Sequence, residues 1–161
     1  MNKPLGGGHA VGKCHGACPN GAGPSPAEDP FNPWPGKCGD GKLTNAYTSG
    51  FELPFTSRPI VWDLEYFNNL INYKWKKITG PGEQPQWEPE LVGGQEMPQA
   101  DSADGNSKQN VGLLTSDVAL MNDAEYEKLV RMFAEDRERF DEVFAHAWYK
   151  LTTRDMGPRV R

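Results

Sequence analysis

The chain has 161 residues, a length typical of one domain. Its net charge is −5, from 17 basic and 22 acidic side chains, and this excludes the basic surface of a nucleic-acid-binding protein. No segment approaches the roughly 18 consecutive apolar residues that a membrane span requires. Residues 1–12 also lack the apolar run of a secretory signal.

Cysteine usage favours a reducing compartment. Cys14, Cys18 and Cys38 are an odd number of cysteines, so a complete disulfide framework is not expected. We therefore favour an intracellular location, and an organelle remains open.

The first region, residues 1–60, is rich in glycine and proline and has no sustained period, so it predicts loop. It contains the stretch GGGHAVGKCHG at residues 6–16, which holds two of the three histidines. One interpretation is a glycine loop with a packed or solvated histidine. The other is a zinc site made of His9, Cys14, His15 and Cys18. Its spacing lacks the paired C-x2-C of common structural sites and disfavours zinc.

The next two regions are a helical region, 61–78, and a variable insertion, 79–112. Within the region 61–78, residues 63–77 predict a helix. Asp63 can cap its start, and lysines lie near its C-terminus. Its apolar positions recur at helical spacing: Phe67, Leu70 and Ile71. The insertion is polar and has no helical period, which is typical of a functional or disordered connection.

The last region, 113–161, has the strongest helical pattern. Asp123 is an N-cap signal, and two helices joined near residues 135–137, or one bent helix, would present an apolar stripe. The stripe consists of Tyr126, Leu129, Val130, Phe133, Phe140, Val143, Phe144, Ala147, Trp148 and Leu151. We expect a protein partner to cover these apolar helix faces. The predicted architecture is mostly α with long irregular connections.

Four segments in order resemble the class I haem peroxidases, which include catalase-peroxidases, ascorbate peroxidases and cytochrome c peroxidases. GGGHAVGKCHG is similar to their proximal-histidine motif, G-G-H-T-x-G-[KR]-x-H. Further resemblances lie in SGFELPFTSRPIVWD, in LLTSDVALMND and in HAWYKLTTRDMGPRVR, at residues 49–63, 113–123 and 146–161. The resemblance implies the C-terminal, proximal half of the helical peroxidase fold.

The resemblance also implies roles for individual residues. His9 would ligate the iron of haem b through Nε2, and its Nδ1–H would donate to Asp117. From the residues alone, the favoured interpretation of Asp117 in TSDVAL is an ordinary helix cap. Gly7 and Gly8 match positions where the chain passes beneath the porphyrin. Lys13 and His15 match positions near the haem propionates. Hydrogen peroxide would be the substrate.

The sequence departs from the family at several of these positions. Phe55 stands where class I peroxidases carry a tryptophan that donates to the same carboxylate, and phenylalanine has no N–H donor. Arg58 replaces a residue that helps bind a cation in ascorbate peroxidases. It would pair with Asp63 instead, so we expect no cation there. Cys18 replaces an arginine that holds ascorbate, which makes ascorbate a doubtful reductant.

The catalytic groups of the peroxide-binding face are not found in this sequence. In the family, a distal arginine, tryptophan and histidine precede the proximal motif, and His146 has no such context. One function left open is a haem-binding, peroxidase-like protein that reduces hydrogen peroxide but lacks the distal catalytic half, so that the isolated chain is inactive. The alternative is a non-catalytic peroxidase-fold fragment that serves as a structural subunit of a larger assembly.

Overall fold

A computed structural model of the chain describes residues 3–14, 53–80, 85–101, 108–154 and 156–157. About half of the described residues are helical, and short strands lie between the helices. The helices are α1 (Lys3–Ala10), α2 (Glu65–Asn72), α3 (Thr115–Val118), α4 (Ala124–Glu135) and α5 (Arg137–Thr153), with a 3-10 turn at Ala119–Asn122. The strands are β1 (Lys13–Cys14), β2 (Leu53–Pro54), β3 (Lys74–Thr79), β4 (Pro85–Glu90), β5 (Gln99–Asp101) and β6 (Lys108–Asn110).

The glycine stretch forms part of a helix, which corrects the prediction of loop for its first residues. A Cβ atom added at Gly6 would lie 2.5 Å from the Phe67 ring, and one added at Gly7 would overlap the Phe144 ring. The absence of side chains therefore lets α1 approach α2 and α5 closely. These tertiary contacts outweigh the low helix propensity of glycine.

Helix α2 is shorter than the predicted helix at 63–77, and that prediction was wrong beyond Asn72. The lysines at 74, 76 and 77 lie on β3, which pairs with β4 along its whole length. Lys76 forms a cross-strand ion pair with Glu88 at 2.9 Å, an interaction that favours this pairing. Asp63 does bond the first turn, since its Oδ1 accepts from the Glu65 backbone N–H at 2.9 Å.

The described part of the insertion forms β-hairpins, which the sequence did not predict. Strands β3 and β4 form one antiparallel pair, and β5 and β6 form another. Trp87 on β4 exchanges two backbone hydrogen bonds with Leu113, at 2.8 and 2.9 Å. The insertion is therefore attached to the segment that leads into α3.

The chain after Asp123 forms two helices, α4 and α5, which is one of the two alternatives that the sequence predicted. Asp123 caps α4 and accepts from the backbone N–H groups of Glu125 and Tyr126 at 2.9 and 3.1 Å. Asp136 has an extended backbone and caps α5 by accepting from the Arg139 N–H at 2.8 Å. The break in the helix is thus fixed by a second N-cap.

The aromatic core is built where α2, α4 and α5 meet. Phe67, Phe133 and Phe140 are buried and lie within 4.9 to 5.7 Å of one another, measured between ring centroids. The end of α5 is different, because Trp148 is 49% exposed and Leu151 is 55% exposed. The chain covers the first half of the predicted apolar stripe by itself. No helix in the described ranges has the length and apolar character to cross a membrane.

Candidate functional site

The centre of the site is the carboxylate of Asp117, which is fully buried. Its Oδ1 lies 2.9 Å from His9 Nδ1 and 2.7 Å from the hydroxyl oxygen of Tyr66. Its Oδ2 accepts from the Leu114 backbone N–H at 2.8 Å. Because an ionised carboxylate can only accept, Nδ1 of His9 carries the proton in this pair.

Asp117 has both of the roles that the sequence left open. It is the third residue of α3, and its bond to Leu114 closes the first turn of that helix. The same side chain also contacts His9, which lies 108 positions earlier in the chain. The cap holds the carboxylate still while its other oxygen faces the imidazole.

Two aromatic rings hold the imidazole of His9. The Phe55 ring stacks on it with a centroid separation of 3.8 Å and an interplanar angle of 7°. The Tyr66 ring meets it edge-on at 5.7 Å and 82°. Rotation of the imidazole would break the stack and the bond to Asp117 together, so the ring has one favoured orientation.

Short backbone contacts bring these segments together. Gly112 donates to the carbonyl of Pro54 at 2.9 Å, which joins the approach to α3 with the residue before Phe55. A Cβ atom at Gly112 would lie 3.0 Å from the Trp87 carbonyl oxygen and 3.2 Å from Leu53. A glycine is therefore needed for this close approach.

The other nitrogen of His9 is not used by the described residues. None of them bonds Nε2, and the side chain is 17% exposed. Beside it, a Cβ atom at Gly8 would meet nothing within 4 Å, so the surface there is open.

Tyr66 is the site residue that the sequence analysis missed. Burial raises the pKa of its hydroxyl well above the ordinary value, and the negative charge and hydrogen bond of Asp117 raise it further. Two features could have identified it. It lies on the apolar face of α2, where its hydroxyl needs a partner, and Phe55 leaves Asp117 without the donor that the family supplies.

The remaining predicted residues are placed as follows. Lys13 lies on β1, and its ammonium donates to Gln109 Oε1 at 3.2 Å. Gly7 is buried against Phe144, so it packs on the protein rather than facing the predicted porphyrin position. Arg58 pairs with Asp63 at 2.7 Å, as predicted.

Only two of the four candidate zinc ligands, His9 and Cys14, lie in the part of the chain that the structure describes. His15, Cys18 and Cys38 lie outside the described residues. Within the described residues, no group of three or more potential metal-ligating side chains occurs. Among the residues that the structure describes, the partner of the His9 imidazole is the carboxylate of Asp117.

The chain is similar to known peroxidases. The family model "Peroxidase" matches residues 4–136, which is most of the chain. The chain belongs to the peroxidase family. It is 42% identical to the catalase-peroxidase of Natronomonas pharaonis and 41% identical to that of Bordetella avium, in each case over 98% of its own length.

The similarity covers only part of those proteins. The chain spans 23% of the Natronomonas pharaonis catalase-peroxidase and 22% of the one from Bordetella avium. It is also 40% identical to the catalase-peroxidase of Symbiobacterium thermophilum, again over 22% of that protein. The chain therefore corresponds to a partial class I peroxidase domain.

Proposed function

We propose that this chain is a haem-binding, peroxidase-like protein in which His9 is the proximal ligand of the iron. The observation that carries the proposal is the bond from His9 Nδ1 to the buried Asp117, which leaves Nε2 as the ligating atom. A hydrogen-bonded carboxylate is the usual outer partner of a metal-bound histidine. Membership of the peroxidase family supports a haem cofactor in general.

The residues around His9 fit such a group. Nε2 of an imidazole whose Nδ1 is bonded to a carboxylate is a suitable axial ligand for haem iron. The helix surface at Gly8, the residue before His9, is open. We propose haem b, with Gly8 on the side of the porphyrin and Lys13 and His15 near its propionates; Gly7 packs against Phe144 instead.

The cofactor would supply the redox chemistry with peroxide, and the chain would tune it through His9. A negative carboxylate at Nδ1 makes the imidazole a stronger electron donor. Phe55 adds a flat apolar surface at 3.8 Å that excludes water from the ring face. Phenylalanine has no donor atom, so it leaves Asp117 to other partners.

Hydrogen peroxide is the proposed substrate of the whole protein. Cleavage of peroxide needs a positioned acid–base group on the opposite haem face. His146, the third histidine, is exposed on α5, away from any such motif. We therefore propose that these 161 residues provide the proximal ligand but not the distal catalytic half, and are inactive in isolation.

A haem titration of the full chain tests the ligand assignment. The wild-type chain should develop a Soret band at a stoichiometry of one haem, and the His9→Ala variant should not. His146→Ala is the matched control, because it removes an exposed histidine. Equal binding by all three proteins, or binding by none, would reject His9 as the ligand.

A second function rests on the exposed end of α5. Trp148, Leu151 and Met156 are 49%, 55% and 70% exposed, which is unusual for a cluster of large apolar residues near one chain end. This surface favours a protein partner. The alternative proposal is that the chain is a non-catalytic structural subunit of a larger assembly.

A further inference from the structure

We propose that Tyr66 is a positioning residue of this site, whose hydroxyl limits how strongly Asp117 polarises the imidazole of His9. The inference rests on the proposed role of His9 as an iron ligand. It concerns a residue that neither the sequence motifs nor the comparisons assign. Its basis is the geometry of one oxygen atom.

Oδ1 of Asp117 accepts two hydrogen bonds, from His9 at 2.9 Å and from Tyr66 at 2.7 Å. The two donors therefore compete for the same lone-pair density. Both distances are typical of their donors, an O–H and an N–H, and the shared oxygen belongs to a fully buried carboxylate, where such bonds are strong. The charge left to attract the Nδ1 proton is smaller than it would be with His9 alone.

Tyr66 cannot easily leave this position. Its ring is fully buried, is in edge contact with His9 at 5.7 Å and meets Phe67 at 5.3 Å. Burial and the neighbouring carboxylate raise the pKa of the hydroxyl, so it stays a donor at physiological pH. The hydrogen bond is a permanent feature of the site.

Tyr66 and Phe55 together explain how Asp117 keeps its donors. Phe55 stacks on the imidazole but cannot donate. Tyr66 reaches Asp117 from α2 and supplies the missing hydrogen bond. The stacking and donor functions are thus divided between two residues on separate elements.

The variant Tyr66→Phe removes the hydroxyl and keeps the ring. If Tyr66 limits the pull of Asp117, the His9–Asp117 bond becomes stronger in the variant. The Nδ1 proton of His9, observed by NMR in the haem-free chain, should then move downfield. An unchanged or upfield position would overturn the proposal, since a purely structural hydroxyl would loosen the pair when lost.

The haem-loaded chain gives a second reading. A more strongly donating imidazole stabilises the oxidised iron, so the midpoint potential should fall in Tyr66→Phe. The control is Tyr73→Phe, which removes the hydroxyl of a partly buried tyrosine bonded to the Glu96 carbonyl at 3.4 Å. It should leave both the proton shift and the potential unchanged. A rise in potential for Tyr66→Phe would contradict the proposal.

The measurements separate this inference from the haem proposal. The proton shift needs no haem, so it tests Tyr66 even if His9 ligates nothing. The wild-type chain offers a test that needs no variant. Two protons that are donated to the same acceptor oxygen lie close together. The Tyr66 hydroxyl proton should therefore show a nuclear Overhauser contact to Nδ1–H of His9. Absence of that contact, with both protons observed, would reject the shared oxygen.

Discussion

Asp117 organises the site because donors from three separate segments converge on its two oxygens. His9 comes from α1, Tyr66 from α2 and the Leu114 backbone from the turn before α3. Each donor alone is an ordinary hydrogen bond, but burial makes every unsatisfied member costly. The carboxylate therefore couples the packing of these elements to the orientation of the imidazole.

The buried hydroxyl of Tyr66 predicts a loss of stability in alkali. Its pKa is raised in the folded chain, whereas the unfolded chain ionises near pH 10. Below that pH both states are protonated and stability is unaffected. As the pH rises through 10 the unfolded chain loses its proton first. The contribution of this hydroxyl to the free energy of unfolding should thus fall by roughly 1 kcal/mol between pH 9 and pH 11.

Urea unfolding at the two pH values measures this effect. Because lysines titrate in the same range, the quantity to compare is the pH-dependent change in wild type minus that in Tyr66→Phe. Tyr73→Phe should keep the wild-type dependence. An equal pH dependence in wild type and Tyr66→Phe would show that the hydroxyl does not remain protonated in the folded chain.

At the residue scale, the sequence predicted that His9 bonds Asp117 but not that Tyr66 bonds the same carboxylate. The resemblance assigned His9 and Asp117 to each other, and the structure places their polar atoms 2.9 Å apart. The bond of Tyr66 was not predicted, because helical periodicity shows which face of a helix a side chain lies on but not which residue its hydroxyl contacts. That partner, Asp117, lies 51 positions away and reaches it only through tertiary packing.

At the scale of elements, α1 depends on its glycines for packing rather than for loop flexibility. Gly7→Ala should destabilise the chain by about 1–3 kcal/mol, because the added Cβ overlaps the partly buried Phe144 ring. Gly8→Ala is the matched control on the same helix. Its Cβ enters open space, and a better helix former there should raise stability by up to about 1 kcal/mol.

Thermal or urea unfolding of the two haem-free variants measures the difference. Opposite signs for neighbouring glycines follow only if α1 is a helix packed on α5. Two destabilised variants of similar magnitude would indicate instead that both glycines need a conformation that alanine cannot adopt.

Elements were predictable where local signals agreed and were missed where they did not. α4 and α5 have caps at Asp123 and Asp136 and a sustained apolar period, so periodicity and capping agree. The sequence of β3 predicts the end of a helix, because its lysines are typical of a helix C-terminus. The pairing with β4, which includes the Lys76–Glu88 ion pair, is invisible to a local pattern.

At the scale of the whole molecule, the distribution of buried and exposed apolar residues divides α5 in two. Phe140 is 1% exposed and lies in the aromatic core, whereas Leu151 is 55% exposed. The chain itself buries the first half of the helix, which corrects the expectation that a protein partner covers it, and a partner for the second half stays a prediction. The second half is the surface that a larger assembly would cover.

Replacing Trp148 and Leu151 with serine tests that surface. We expect the double variant to associate less than wild type, seen as a weaker concentration dependence of the sedimentation coefficient. Stability should fall by only about 1 kcal/mol, through the lost stacking of Trp148 on Phe144 at 5.8 Å. The change in association would then not come from unfolding.

Leu91 and Val92 provide the matched control, since they are 42% and 49% exposed but lie after β4. Serine at both of these positions removes apolar surface of the same kind from another face. If association depends on the end of α5, this variant should sediment like wild type. Equal effects from both double variants would mean that general apolar exposure, rather than the α5 surface, causes association, and would remove the specific support for a structural subunit.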